Sequence, residues 1–130
     1  MMGKPVNSKV DRAPTTALNT KVDKEVLDNF KDYCKYLGYP MNVLLETFMR
    51  QYADGNFDLN RNDIIKWKVD DYEVDTLNTT FNKEIYLDFK SMCKENGYFV
   101  KHVITAFMEK LTNENLVLEY VETKEINDED

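Results

Sequence analysis

The sequence predicts a mainly α-helical domain carrying one two-stranded antiparallel ribbon, built from two strand-helix-helix units fused in a single chain. Three observations lead there. Shifted by 59 residues, LNTKVDKEVLDNFKDYCKYLGYPMNVLLETFMRQY (18–52) aligns without a gap on LNTTFNKEIYLDFKSMCKENGYFVKHVITAFMEKL (77–111), with 13 of 35 positions identical. Inside each copy the hydrophobic period changes once, from two residues to the helical value. Each copy is also too short to hold a core alone, and two copies are too few for a solenoid. The copies are therefore expected to fold against each other as an internal pseudo-dimer.

Each copy opens with a strand. Leu18, Thr20 and Val22 alternate with Asn19 and Lys21, and Leu77, Thr79 and Phe81 alternate with Asn78 and Thr80. A period of two means a short strand with one buried face. Such a strand needs a ladder partner for its backbone groups. The nearest candidate is its counterpart in the other copy, paired antiparallel across a pseudo-twofold axis with four helices beneath.

A helix follows. Asp23 and Asn82 suit N-caps, and Glu25 and Glu84 complement the positive end of the helix dipole. Val26, Leu27, Phe30, Tyr33, Cys34 and Leu37 form one apolar stripe, matched by Ile85, Tyr86, Phe89, Met92 and Cys93. Gly38 and Gly97 close these helices in the manner of left-handed C-caps. The second helix of each copy turns Leu44, Leu45, Phe48, Met49 and Tyr52 inward, or Val103, Ile104, Phe107, Met108 and Leu111.

The domain so defined covers 16–118, with repeat one at 16–52, a linker at 53–75 and repeat two at 76–118. A flexible basic arm (1–15) precedes it and an acidic tail (119–130) follows. In the linker, Asp54-Gly55-Asn56 and Asn60-Arg61-Asn62 read as turns. Residues 64–69 fit a short strand or a helix equally well, with Trp67 packing on the helices. Residues 116–121 read as a further strand.

Composition narrows the function. With 42% hydrophobic and 32% charged residues, the 130-residue chain is of globular type. No apolar run is long enough to span a bilayer, and MMGKPVNSKVDRAP lacks the apolar core of a secretory signal. A cytoplasmic location without a membrane partner is expected. Two cysteines and one histidine are too few for common zinc sites or a disulfide scaffold. Cys34 and Cys93 instead read as structural thiols on the buried stripes. With no Gly-rich phosphate loop or nucleophile elbow, neither enzyme activity, metal, cofactor nor small-molecule substrate is expected.

The net charge of −7 ordinarily argues against a nucleic-acid partner. Its distribution removes the objection. Residues 16–52 and 76–118 each hold five basic and five acidic side chains, while the linker carries −4, the tail −5 and the arm +2. The acidity belongs to the connectors.

Taken together, ALNTKVD–KEVLDNFKDYCKYLG–YPMNVLLETFMRQY and TLNTTFN–KEIYLDFKSMCKENG–YFVKHVITAFMEKL resemble the ribbon-helix-helix family of DNA-binding proteins (the Arc, MetJ and CopG type). Its members are homodimers of a strand-helix-helix chain, and this sequence looks like a tandem form of one. The resemblance covers about 16–52 and 76–111. It implies sequence-specific binding of double-stranded DNA through a ribbon in the major groove. By position, the base readers would be Ala17, Asn19 and Lys21 from the first strand and Thr76, Asn78 and Thr80 from the second. The implied roles are transcriptional repression, plasmid copy or partition control, or an accessory role in DNA transfer, with possible self-association on DNA. Thirteen Asn and eight Tyr point the same way, toward an AT-rich mobile element such as a plasmid or phage.

Two features depart from the family. The two outward triplets differ, so the operator should be asymmetric. The second helices also begin at Tyr39-Pro40-Met41-Asn42 and Tyr98-Phe99-Val100-Lys101, without the family's Ser or Thr at a phosphate-clamping amide turn. Asn42, Lys101 and a solvated His102 are the candidates to replace that contact. Lys4, Lys9 and Arg12 form either a DNA-wrapping arm or a plain terminus. The rival reading is a protein-interaction module, inhibitor or DNA mimic that kept the fold without DNA binding.

Overall fold

A computed structural model describes residues 14–69 and 71–114. The arm residues Lys4, Lys9 and Arg12, and the strand expected at 116–121, lie outside the described residues. The described chain is mainly helical with one two-stranded antiparallel sheet. Strand β1 (Thr15–Asp23) pairs with β2 (Val74–Asn82), with Asn19 opposite Asn78, Leu18 opposite Thr79 and Thr20 opposite Leu77. The register is thus centred on one residue and its own counterpart 59 positions on. Each strand is nine residues long and outruns the five-residue alternation, because ladder hydrogen bonds do not require a buried side chain at every second position.

Helix α1 (Lys24–Leu37) starts where Asp23 accepts a hydrogen bond from the Val26 N–H at 2.9 Å. Its counterpart α4 (Lys83–Glu95) starts where Asn82 accepts from the Ile85 N–H at 3.0 Å. Both copies reverse through a glycine in the left-handed region, Gly38 at φ 84° and Gly97 at φ 83°. Helices α2 (Met41–Ala53) and α5 (Val100–Asn113) follow from Pro40 and Phe99, neither with a side-chain cap.

Each helix packs chiefly on the other copy. Helix α2 lies against α4, and α1 lies against α5. Between them, Phe48 and its counterpart Phe107 stack with ring centroids 4.0 Å apart and planes inclined by 10°. Phe30 meets Phe107 edge-on at 6.1 Å, and the counterpart pair Phe48–Phe89 repeats this at 5.6 Å. Phe57 sets its edge against both central rings, at 5.2 and 5.7 Å. Such pairs contribute roughly 0.5–1.5 kcal/mol each beyond burial. Val22, Leu77 and Phe81 close the core from the ribbon side.

Part of the linker, residues 61–68, is helical. Helix α3 (Arg61–Ile65) is capped by the Asn60 side chain, which accepts from the Asn62 N–H, and runs into a 3₁₀ turn at Lys66–Lys68. Ile64 and Trp67, three apart, both turn inward. Lys66 meets Glu109 of α5 at 2.7 Å. Trp67 is buried, with Tyr72 edge-on to it at 5.3 Å.

Candidate nucleic-acid interface

Period-two geometry sends alternate side chains of a strand to opposite faces. Here the inner set faces the helices, while Ala17, Asn19, Lys21, Thr76, Asn78 and Thr80 are all exposed on the other side. They meet as three cross-strand pairs: Ala17–Thr80, Asn19–Asn78 and Lys21–Thr76. Alternate residues on a strand lie about 6.8 Å apart, close to two base-pair steps of about 3.4 Å. Three outward positions per strand therefore match about four base-pair steps. Asn presents a donor and an acceptor side by side, the complement of the adenine edge, and Lys donates to guanine. Among these six side chains, only Lys21 carries a charge.

The flanks of this face differ from each other. On one side α5 begins at an uncapped turn: the first amide with a helical acceptor is that of His102, donating to the Phe99 carbonyl at 3.1 Å. The amides of Val100 and Lys101 precede it and point out of the helix end. A groove of about 840 Å³ opens there, running from Asn19 on the ribbon to Tyr86, Lys90 and Lys94 on α4 and to Phe99 and Lys101. Phe99 is 67% exposed. No carboxylate lines this groove.

The counterpart turn, at Tyr39–Met41, borders a smaller cleft of about 630 Å³. Lys31 and Lys35 line it, but so do Asp28 and Asp32. The position matching Lys101 holds Asn42, half-buried in the first turn of α2. At the Asp23–Val74 end of the ribbon, a third cleft is lined by Asp23, Glu25, Asp28 and Glu73 against one cation, Lys24. Lys24 itself contacts Asp28 at 2.8 Å.

One candidate is corrected. His102 is not solvated: it is 5% exposed and packs edge-on against Phe99 at 5.5 Å. The third residue of α5 lies on the inward side of that helix. The groove also gathers Lys90 and Lys94, two positions that the hydrophobic pattern of the sequence does not single out. The signal was available in the repeat itself, where Asp28 and Asp32 become Leu87 and Ser91 while both flanking lysines persist.

Burial pushes the Cys34 thiol up to about 11 and the Cys93 thiol to about 12. Both are free cysteines and poor nucleophiles at neutral pH. Among the described residues, no three His, Cys, Asp or Glu are grouped to hold a metal ion, and no helix is long and apolar enough to cross a membrane. No protein-family model, curated protein or solved structure matches the chain.

Proposed function

We propose that this protein is a single-chain pseudo-dimer of the ribbon-helix-helix type that binds double-stranded DNA in sequence-specific fashion. The ribbon lies in the major groove, and Ala17, Asn19, Lys21, Thr76, Asn78 and Thr80 read base edges. The observation that carries this reading is the symmetric set of exposed cross-strand pairs centred on Asn19 and Asn78. The role is repression of transcription or control of a plasmid or other mobile element. Because Ala-Asn-Lys faces one half-site and Thr-Asn-Thr the other, the operator is asymmetric with a shared central contact.

Selection from random duplexes tests this directly. It should return an imperfect, non-palindromic site, and a strict palindrome would count against unequal half-sites. On the selected site, Asn19→Ala combined with Asn78→Ala should weaken binding about thirtyfold or more, since each lost bidentate contact is worth roughly 1–3 kcal/mol. Unchanged affinity in that double variant sinks the ribbon-reading mechanism.

A second reading is favoured by the acidic cleft at the Asp23–Val74 end. In it the fold serves as an interaction module, inhibitor or DNA mimic. Its signature is a chain that shifts no duplex from the random pool at any salt concentration.

A further inference from the structure

The two copies carry the same pair of lysines in different company. Lys31 and Lys35 on α1 correspond to Lys90 and Lys94 on α4. In the first copy, Asp28 and Asp32 line the same cleft as the lysines. In the second copy those two positions are Leu87 and Ser91, and the groove carries Lys90, Lys94 and Lys101 with no carboxylate in its lining. None of these three lysines forms an ion pair among the described residues, in contrast to Lys24, Lys66 and Lys110, which pair with Asp28, Glu109 and Glu114. The groove also reaches the ribbon at Asn19, whereas the first-copy cleft is lined by no ribbon residue.

Three unneutralised ammonium groups at one edge of a base-reading face are complementary to a polyanion. Their spacing along one helix, with Lys90 and Lys94 four apart, sets both on the same side of α4. The uncapped start of α5 adds backbone amides and a partial positive charge at the same place. Phe99 supplies an apolar wall, where the first copy has Pro40.

We propose that this groove is a one-sided anchor for the sugar-phosphate backbone of DNA, gripping the strand that flanks the bases read beside Asn19. The first copy has no equivalent grip, because two carboxylates, Asp28 and Asp32, share the cleft with its two lysines and offset their field toward an anion. The protein therefore sits on its site in one orientation, set by backbone contacts as well as by the unequal reading triplets. This inference rests on the reading of the ribbon as a duplex-DNA binder.

The two lysine pairs supply their own control. Lys90→Ala with Lys94→Ala, and Lys31→Ala with Lys35→Ala, change the net charge equally, so any general electrostatic effect is common to both. Fluorescence anisotropy on the selected duplex, with the full chain across a salt series, reads affinity and the slope of log K against log salt. The second-copy pair should lose at least tenfold in affinity at low salt and flatten the slope by about 2, since each phosphate contact contributes about 0.9. The first-copy pair should change the slope by less than about 0.5 on the same scale. Equal effects of the two pairs, or an unchanged slope in the second-copy pair, overturn the one-sided anchor while leaving the ribbon reading intact. Failure of the unaltered chain to bind any duplex overturns both. Thermal unfolding of each variant confirms that the fold is retained, as all four lysines are exposed.

Discussion

At the scale of single residues, the proposed reading positions and the core are separate sets. The six outward ribbon side chains are exposed and make few internal contacts, so their replacement should alter binding with little effect on stability. The cysteines behave in the opposite way. Both thiols are buried and hold their protons to about pH 11 and 12, against about 9 in the unfolded chain. The folded form therefore retains protons that the unfolded form releases between those limits. The contribution of the two thiols to stability is fully present below about pH 9 and is lost as pH rises from there toward 11–12. Denaturant midpoints measured from pH 8 to 10.5 should drop, and replacing both cysteines with Ala should flatten that drop apart from what the buried tyrosines contribute. At pH 8, alkylation should be slow in the folded protein and fast in denaturant.

At the scale of elements, the caps and turns carry most of what local chemistry decides. Asp23→Ala removes the side-chain acceptor for the Val26 N–H and should cost about 1 kcal/mol, read as a lower urea midpoint with an unchanged slope. Asn82→Ala should cost a similar amount, since it loses the equivalent bond to Ile85. Glu46 of α2 accepts from the Asn82 backbone N–H at 2.6 Å, a bond that this substitution leaves in place. Gly38→Ala tests the turn. An added Cβ there meets nothing within 4 Å, so its cost of about 1 kcal/mol is purely that of the left-handed backbone. Helix α3 joins the linker to the core through Ile64 and Trp67 rather than leaving it a passive tether.

At the scale of the whole molecule, the stack of Phe48 on Phe107 joins the two copies and should make them unfold as one unit. Either Phe→Ala change should cost about 3–5 kcal/mol, a large share of a total near 5–15 kcal/mol. The double variant should cost less than the two single changes together, because both report one stack. Calorimetry should show one transition, with no separate melting of a single copy. Chains cut within the linker should be unfolded as isolated halves, since each helix packs chiefly on the other copy. The −7 net charge acts at this scale too, as it belongs to connectors outside the neutral repeats.

What the sequence determined by itself was everything governed by local backbone geometry. A period of two, a period near 3.6, an Asp or Asn before a helix and a Gly after one are one-dimensional signals. They placed β1, β2 and the four long helices, both N-caps, both glycine turns and the outward positions of the ribbon. Local periodicity could not say which residues of different elements meet. Residues 64–69 are ambiguous because six residues fit either period; in the fold 64–68 are helical and pack against α5, while Val69 is extended. His102 looked solvated because the first turn of a helix is commonly exposed, and the packing of α5 buried it. Lys90 and Lys94 were silent as single residues. Their difference from Lys31 and Lys35 lies in the neighbouring carboxylates and in a groove that reaches the ribbon, and charge acts through space rather than along the chain.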